Sequence, residues 1–339
     1  MTTARDSMTA MKILITGGAG YIGSTIATAC LDVGIEPVLL DDLSTGLRAF
    51  GDGRSLYVGD IADQEILDRL FSDHPDIDAV IHCAARIVVP ESVADPLGYY
   101  DANVGKTITF LRRMRDAGVG RIVFSSSAAV YQGETGDGVD ENGALAPSSP
   151  YATTKAMVEQ ILADAAAAGD FRAIALRYFN PIGADPQMRT GLQNPMPSHV
   201  LGKIMQARAA GTPFTITGGD WPTRDGSGIR DYVHVWDLAL AHVAAVTRFD
   251  EVATADAPYQ VINLGTGDGV TVRELVGAFE RVTGEPLDVV ETERRPGDQA
   301  GAYAIVDRAA DVLGWRAQRS LDDGVRDALT WAETLPTLR

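Results

Sequence analysis

The chain has 339 residues, 45% of them hydrophobic, which is enough for one large domain or two modest ones with a sizeable core. Its formal net charge of −17, from 46 acidic and 29 basic side chains without a Lys/Arg block, disfavours binding to nucleic acid. The sequence has no apolar run of membrane-spanning length, and its two cysteines, Cys30 and Cys83, lack metal-ligand spacing, so we expect a cytoplasmic protein without a metal site.

The chain begins with a polar leader followed by a glycine-rich segment. Residues 1–10, MTTARDSMTA, lack the apolar core of a signal peptide and predict a disordered extension or a later start of translation. In KILITGGAGYIGSTIATACL, a buried strand leads directly into a glycine turn and a helix. Gly18, Gly20 and Gly23 match G-x-G-x-x-G, whose glycines allow a tight turn, a close approach of a pyrophosphate and close helix packing. The segment therefore predicts a dinucleotide site.

Acidic residues follow the next two predicted strands. Asp41 ends PVLLD, where its carboxylate would accept hydrogen bonds from an adenosine ribose and would repel a 2′-phosphate. This favours NAD over NADP as the cofactor. Asp60 ends SLYVGD and Ile61 follows it; both are predicted to lie beside the adenine, although Gly-Asp is also an ordinary turn pair.

The first half of the chain alternates short β-branched runs with segments of helix length. The predicted strands, in chain order, are KILIT, PVLLD, SLYVGD, AVIHCAA, RIVFSSS and AIALRYF. Such alternation predicts an α/β fold with a doubly wound parallel sheet of the Rossmann type. We assign residues 11–180 to this dinucleotide-binding domain.

Ser127, Tyr151 and Lys155 are the candidate catalytic residues. Ser127 ends RIVFSSS, at the edge where parallel sheets bind their ligands. In SSPYATTKAMVEQIL, Ser149 is a good N-cap and Pro150 suits the first helical position, so the tyrosine and the lysine share an inward helix face. A nearby ammonium and a positively charged nicotinamide would lower the phenol pKa from about 10 and make it a base for a substrate hydroxyl. A tyrosine packed in the core beside a snorkelling lysine is the structural alternative.

The second half of the chain has a different texture. Glycine and proline become frequent after about residue 180, and helices are predicted near 199–210, 235–248 and 272–283. We assign residues 181–339 mainly to a smaller C-terminal α/β lobe that binds the substrate. The segment VINLGTG is expected to return one strand, near 261–264, to the first sheet.

Many further runs join the glycine turn and the tyrosine-lysine pair in one pattern. They are GGAGYIG, the SSS…Y-x-x-x-K set, RYFNP, LDDLSTG, HCAA, ESVADPLGYYDANV, SSSAAVYQ, NPMP, GIRDYVHVWDLA, NLGTG and RRPGD. With these runs the chain resembles the extended short-chain dehydrogenases/reductases, among their NAD-dependent nucleotide-sugar epimerases, over essentially all residues after 11. The resemblance implies inversion of C4 of a UDP-hexose, in which hydride passes to NAD and returns to the other face of a transient 4-keto sugar.

The resemblance also implies roles for particular residues. It makes Tyr151 the acid/base, Lys155 the group that binds the nicotinamide ribose and tunes the phenol, and Ser127 an assisting hydroxyl. The implied cofactor-binding residues are Gly17, Gly20, Tyr21, Ile22, Gly23, Asp41, Asp42, Asp60, Ile61, Ala84, Asn103, Tyr151, Lys155 and Phe179. The implied substrate-binding residues are Ser127, Tyr151, Asn180, Asn194, Arg230, Arg295, Asp298 and Tyr303. The two arginines offer the forked donors that grip a diphosphate, although Arg230 next to Asp231 also fits a surface ion pair.

Four alternatives compete with this interpretation. A nucleotide-sugar 4,6-dehydratase would carry an Asp-Glu pair directly after the strand-end hydroxyl, where this chain has Ala128 and Ala129, so dehydration is disfavoured. A uronate epimerase needs a cation for the substrate carboxylate, and Arg86 is a candidate. N-acetylhexosamines would be accepted or excluded at the position that limits sugar bulk, which is either Ala302 or Tyr303. A non-catalytic dinucleotide sensor is the alternative from a different class.

The resemblance extends to assembly, with one local departure. It implies a homodimer formed through two helices of each subunit, which we expect near 95–117 and 149–168. Many relatives have a first asparagine where this chain has Ala102, which leaves Asn103 as the candidate beside the cofactor.

Overall fold

The structure, a computed structural model, describes residues 10–132, 137–194, 197, 199–294 and 299–338. The predicted disordered extension therefore lies, except for residue 10, outside the described residues. Among the helices of these ranges, none combines the length and the hydropathy that a membrane crossing demands.

Strands and helices alternate along the first half of the chain and become shorter in the second half. The strands of the described residues are, in chain order, β1 (Lys12–Thr16), β2 (Glu36–Asp41), β3 (Ser55–Val58), β4 (Ala79–His82), β5 (Arg121–Ser127), β6 (Gly138–Val139), β7 (Arg172–Tyr178), β8 (Asn180–Ile182), β9 (Phe214–Thr217), β10 (Ile229–Arg230), β11 (Tyr232–His234), β12 (Tyr259–Leu264), β13 (Val270–Thr271), β14 (Val289–Thr292) and β15 (Tyr303–Ala304). The α-helices are α1 (Tyr21–Asp32), α2 (Gln64–Asp73), α3 (Val89–Ala94), α4 (Pro96–Tyr100), α5 (Lys106–Asp116), α6 (Pro150–Ala167), α7 (Val200–Ala210), α8 (Val235–Thr247), α9 (Phe249–Val252), α10 (Val272–Thr283) and α11 (Leu321–Thr334). All six strands predicted for the first half are confirmed, although AVIHCAA leaves the sheet early, at His82.

A seven-stranded sheet in the order β12-β7-β5-β4-β1-β2-β3 forms the centre of the molecule, and every pair in it is parallel. The apolar runs of its strands suit a parallel sheet, because helices cover both of its faces. The chain winds outward from β1 through β2 and β3, then crosses to β4 and continues through β5 and β7. The crevice at the carboxyl ends of β1 and β4 is thus the switch point at which such sheets bind ligands.

Two apolar layers enclose this sheet. On one face α1 packs against α8, and the layer includes Ile26, Leu238 and Phe249, which are almost fully buried. On the other face α2, α5 and α6 contribute residues such as Phe110 and Leu162. Because α6 belongs to this layer, its inward stripe is fixed against β5 and β7.

The second half of the chain adds small ladders rather than another large sheet. β9 pairs with β14, β10 with β13, β8 with β11 and β6 with β15, and only the β10–β13 pair is antiparallel among them. A third core, which includes Phe214, Leu275 and Phe279, joins β9 to α7, α10 and α11. β12 lies at the edge of the central sheet beside β7. The predicted fold class, a doubly wound parallel sheet with a smaller C-terminal α/β part, is confirmed.

Candidate functional site

The glycine turn between β1 and α1 leaves almost no room for side chains. Gly17 has a φ of +68°, and a Cβ added at Gly23 would lie 2.2 Å from the Gly17 carbonyl oxygen. A Cβ added at Gly18 would lie 2.8 Å from the Leu39 side chain. Gly20 is the N-cap of α1 and has no side chain to cap it, so the first N–H groups of the helix can bind a phosphate. The turn therefore fits the pyrophosphate of a dinucleotide.

Tyr21 and Ile22 form the first turn of α1 and anchor it by their side chains. The Tyr21 hydroxyl donates a hydrogen bond to the Gly183 carbonyl at 2.6 Å, and burial raises the pKa of this phenol. Ile22 packs against the core layer of α1 and α8. With both side chains occupied in packing, their backbone N–H groups are the parts that can face a phosphate.

Asp41 lies at the carboxyl end of β2 and turns its carboxylate back toward the glycine turn. The carboxylate accepts hydrogen bonds from the N–H groups of Ala19 at 2.9 Å and Leu43 at 2.8 Å. Burial raises the Asp41 pKa, and these two bonds oppose the rise. Each oxygen keeps a further lone pair, so the residue fits the predicted ribose contact. Asp42, in contrast, is exposed and accepts hydrogen bonds from the N–H and the hydroxyl of Ser44.

The loop after β3 brings Asp60 next to Lys106, a pairing that sequence reasoning missed. Asp60 accepts the Ala62 N–H at 2.8 Å with one carboxylate oxygen and pairs with the Lys106 ammonium through the other. Ile61, which lies between Asp60 and Ala62 in the loop, is buried. The two charged residues are 46 positions apart, and nothing in the local sequence of either one signals the contact.

Asn103 links the loop after β4 to α6. Its amide oxygen accepts the Arg86 N–H at 2.8 Å, and its amide nitrogen donates to the Arg86 carbonyl at 2.9 Å and to the Thr154 hydroxyl at 3.0 Å. Ala84 begins the same loop and donates its N–H to the Thr16 hydroxyl, at the end of β1, at 3.3 Å. Asn103 is buried, so it shapes this side of the cleft by positioning two segments.

The three candidate catalytic residues lie together at the carboxyl end of β5. α6 begins at Pro150, and the Ser149 hydroxyl caps it by accepting the Ala152 N–H at 3.2 Å. Tyr151, in the first turn of α6, lies close enough to Ser127 for the serine hydroxyl to lower the pKa of the phenol. One turn further along the helix, the Lys155 ammonium donates to the Ser125 carbonyl at 2.7 Å and lies 4.8 Å from the centre of the Phe124 ring.

Burial dominates the acid–base properties of these groups. It raises the Tyr151 pKa above its ordinary value of 10.0, and the hydrogen bond with Ser127 opposes the rise. It lowers the Lys155 pKa from 10.5 to about 8. The ammonium is directed at the Ser125 carbonyl, and burial raises the phenol pKa of the chain by itself; that Lys155 and a nicotinamide together lower this pKa stays a prediction. The phenol needs a further positive charge nearby before it ionises at neutral pH.

Phe179, Asn180 and Arg230 lie beyond β7, on the second-lobe side of the cleft. Phe179 is buried, and the Asn180 N–H that follows it donates to the Asp231 carbonyl at 2.9 Å, which joins β8 to β11. The Arg230 guanidinium donates to the Ile229 carbonyl at 2.6 Å and to the Ala300 carbonyl at 3.0 Å. Both bonds come from Nη1, so this nitrogen is fixed and orients the rest of the guanidinium.

Arg230 lines a cavity of about 530 Å³ between α7 and β9, whose walls also include Phe214 and Trp221. This volume lies within the range of ligand pockets. Sequence reasoning missed both aromatic residues; the alternation of apolar residues in FTIT was the signal for Phe214, and that run does not include Trp221. A larger groove, of about 1030 Å³, lies at the amino ends of the strands near Arg172, away from the catalytic groups.

The other residues predicted to bind the substrate are Tyr303, Asn194, Arg295 and Asp298. The Tyr303 ring packs against Gly138 and Gly269, where an added Cβ would come within 3.0 Å and 2.6 Å of ring atoms. Asn194 is exposed. Arg295 and Asp298 lie outside the described residues. Within the ranges that the structure describes, no cluster of three His, Cys, Asp or Glu residues could hold a metal ion.

Known proteins are similar to this chain in sequence and in fold. A model of the NAD dependent epimerase/dehydratase family matches residues 13–265. The UDP-glucose 4-epimerase of Azospirillum brasilense is 43% identical over 327 residues, which cover 96% of this chain and 92% of that protein.

Two solved structures resemble the whole chain. The UDP-glucose-4-epimerase from Stenotrophomonas maltophila, with bound NAD and formylated UDP-arabinopyranose, matches with a TM-score of 0.90 and 38% identity over 97% of this chain and 100% of that chain. The UDP-glucose 4-epimerase from Bifidobacterium longum, in complex with NAD+ and UDP, has a TM-score of 0.87 and 34% identity over the same shares, 97% and 100%.

Proposed function

The chain belongs to the NAD dependent epimerase/dehydratase family, and from this premise we propose that its cleft interconverts UDP-glucose and UDP-galactose by inverting C4 of the sugar. NAD is the cofactor, and when bound it would supply the hydride acceptor and donor for C4. The observation that supports the proposal best is the meeting of Ser127, Tyr151 and Lys155 at the sheet edge that also carries the glycine turn.

The residues that would hold NAD follow the edge of the sheet. The N-terminus of α1 binds the pyrophosphate, Asp41 the adenosine ribose, and the Asp60–Ile61 loop the adenine. The proposed cofactor contacts beyond these are Gly17, Gly20, Tyr21, Ile22, Gly23, Asp42, Ala84, Asn103, Tyr151, Lys155 and Phe179. In this division residues 11–180, with the strand near 261–264, serve the cofactor, and residues 181–339 mainly serve the substrate.

Tyr151 moves the proton in the proposed mechanism. Its phenol oxygen takes the proton of the C4 hydroxyl as the sugar is oxidised and gives it back as the sugar is reduced. The Ser127 hydroxyl bridges the phenol and the sugar oxygen, and its bond to the phenol favours the ionised form. Lys155, with a pKa of about 8, carries a positive charge in most molecules at neutral pH and adds to this effect.

The nucleotide must be held tightly and the sugar loosely, because the 4-keto sugar has to turn between the two hydride transfers. Arg230 and Arg295 grip the diphosphate, which a chain of net charge −17 otherwise repels. Asn180 and Asn194 bind sugar or phosphate oxygens, and Asp298 binds the uridine ribose. The cavity beside Arg230 is large enough for the base.

Among the alternative sugars, a uronate is less well supported than an N-acetylhexosamine. Arg86, the candidate cation for a uronate, pairs with Asp95 at 2.9 Å, so its charge is balanced within the chain. The Tyr303 ring packs against two glycine positions, which favours Ala302 as the residue that faces the sugar. A small residue there would leave room for an N-acetyl group. Parallel assays with UDP-galactose, UDP-GlcNAc and UDP-glucuronate distinguish the three substrates.

We also propose that the chain works in the cytoplasm as a homodimer. Leu97 is 80% exposed and Met157 is 45% exposed, and both lie within the segments 95–117 and 149–168 that are expected to pair between subunits. Burial of such side chains against a second copy would be favourable. The sedimentation coefficient of a monomer at micromolar concentration would contradict this assembly.

Tyr151→Phe tests the proposed reaction, because it removes the phenol oxygen and keeps the ring. We expect turnover of UDP-galactose to fall by at least ~100-fold while the content of bound NAD is unchanged. Tyr57→Phe is the matched control, since the Tyr57 hydroxyl donates to Asp73 on the surface, at 2.7 Å, and should leave turnover unaffected. Unchanged turnover in Tyr151→Phe would contradict the role of the phenol, and the absence of turnover in the wild-type protein would favour the non-catalytic dinucleotide sensor.

A further inference from the structure

A buried ion pair lies one helical turn beyond Lys155 on α6. Glu159 and Arg177 are each only 4% exposed. The Arg177 guanidinium binds both carboxylate oxygens, from Nε at 2.9 Å and from Nη2 at 2.5 Å. Buried ion pairs often stabilise a fold no better than apolar residues of the same size. The proposed mechanism so far gives this pair no role.

The Glu159 carboxylate connects α6 to three strands of the central sheet. The Ser126 hydroxyl of β5 donates to one oxygen, and the Tyr259 hydroxyl of β12 donates to the other at 3.3 Å. Arg177, its ion-pair partner, belongs to β7. Because Ser126 directly precedes Ser127, the carboxylate fixes the helix that carries the phenol and the ammonium against the strand that carries the catalytic hydroxyl.

Glu159 is also the negative charge nearest to the Lys155 ammonium along the helix face, since positions four apart are neighbours on that face. The titratable and charged groups around this ammonium are His82 and Cys83 of β4 and the loop after it, Tyr151 and Glu159 of α6, and Arg177 and Tyr178 of β7. Burial lowers the His82 pKa to about 3 and raises the Cys83 pKa to about 11, so both are neutral at pH 7. Of these groups, only Glu159 offers the ammonium a compensating negative charge at neutral pH.

We propose that Glu159 is a positioning residue for C4 inversion, whose carboxylate holds α6 in register with β5 and keeps the Lys155 ammonium charged. This inference rests on the proposed function, because it requires that Lys155 serves the reaction in its protonated form. Without the carboxylate, the buried ammonium loses a negative charge that stabilises it, so Lys155 loses its proton at a lower pH. The alkaline limb of the activity profile should then move toward neutral pH.

Glu159→Gln tests this by removing the charge at nearly constant volume. We expect kcat with UDP-galactose to fall roughly fivefold at pH 8 and about tenfold at higher pH, with little change in KM, as the alkaline limb moves down by about one pH unit. Glu159→Asp, which keeps the charge, should restore most of the limb position. The matched control is Asp164→Asn, which removes an exposed carboxylate from the same helix and should leave the profile unchanged. Bound NAD, measured by absorbance after denaturation, should stay constant in all three variants.

Glu159→Gln leaves Arg177 unpaired in the core, so the double variant Glu159→Gln/Arg177→Met, which removes both buried charges, is made alongside it. Either variant, if folded, should show the displaced limb. A limb at the wild-type pH in a folded variant would overturn the proposal, and so would the failure of both variants to fold, since the pair would then be purely structural. Wild-type protein that does not invert C4 would instead contradict the proposed function, so the two failures are distinguishable.

Discussion

Two glycines of the turn between β1 and α1 face different neighbours, and their alanine variants should separate folding from cofactor binding. In Gly23→Ala the new Cβ would lie 2.2 Å from the Gly17 carbonyl oxygen and 2.9 Å from its carbon. Both are backbone atoms, so relief requires α1 to move away from β1 by about 1 Å in a close-packed layer. We expect a loss of ~1–3 kcal/mol in the free energy of unfolding, together with weaker binding of NAD.

Gly20→Ala is the matched variant in the same turn. Gly20 has a φ of −83°, and its added Cβ would meet the Gly17 carbonyl oxygen at 3.3 Å. Alanine is accommodated at this contact with a shift of a few tenths of an ångström, so the free energy of unfolding should change by less than ~1 kcal/mol. Its methyl group nevertheless projects at the N-terminus of α1. If a pyrophosphate approaches there, overpacking of ~1–3 kcal/mol weakens NAD binding by roughly 5- to 150-fold.

The assays are urea unfolding and the exchange of bound NAD with labelled NAD. Gly23→Ala should lose both stability and cofactor, whereas Gly20→Ala should lose cofactor alone. Wild-type retention of NAD in Gly20→Ala would refute the placement of the pyrophosphate at this turn. Wild-type stability of Gly23→Ala would refute the steric reasoning for the helix contact.

Three further predictions concern single side chains of the cleft. Lys155→Met should raise the free energy of unfolding at pH 7 by up to ~3 kcal/mol, because burial lowers the ammonium pKa from 10.5 to about 8 and so disfavours its charged form in the folded state. Turnover should collapse in the same variant. Correspondingly, wild-type stability in urea should rise between pH 8 and pH 10.5 and that of the variant should not; a less stable variant would contradict this. Arg230→Lys keeps the charge but loses the fork, so KM for UDP-galactose should rise roughly tenfold with NAD content unchanged, and an unchanged KM would remove Arg230 from the diphosphate site. Ala302→Tyr should lower turnover of UDP-GlcNAc far more than that of UDP-galactose, and an unchanged ratio would transfer the role to Tyr303.

The sequence allowed prediction of those parts of the site whose physics is local. The glycine turn follows from the spacing of its glycines, since a side chain at Gly23 would conflict with the Gly17 carbonyl within the same turn. The start of α6 follows from a Ser149 cap and Pro150 at the first helical position, and the spacing of Tyr151 and Lys155 then places both on one face. Such features need no knowledge of the rest of the chain.

Contacts between segments that are far apart in the sequence could not be predicted from it. The partner of Asp60 is Lys106, 46 positions away, and the acceptor for the Lys155 ammonium is the Ser125 carbonyl, 30 positions away. Because that acceptor lies in another segment, the direction of the ammonium could not be predicted, and neither could the rise that burial gives the phenol pKa. Whether a charge lowers a neighbour's pKa depends on distance and burial, and neither can be read from the spacing of residues.

The cavity beside Arg230 illustrates the same limit. Its walls come from α7, from β9 and from the loop that carries Trp221, which are separated in sequence and meet only when the second lobe packs. Asn103 is a milder case, since its position near the cleft was expected but its bonds to Arg86 and Thr154 give it a positioning role. Neither pattern leaves a periodic trace in the sequence.

Conversion of UDP-galactose deuterated at C4 tests the central claim most directly. If Tyr151 moves only the hydroxyl proton and the C4 hydrogen leaves and returns as hydride without meeting water, the UDP-glucose produced keeps its deuterium at C4. UDP-glucose that carries solvent hydrogen at C4, or the absence of any UDP-glucose, would contradict the proposed mechanism.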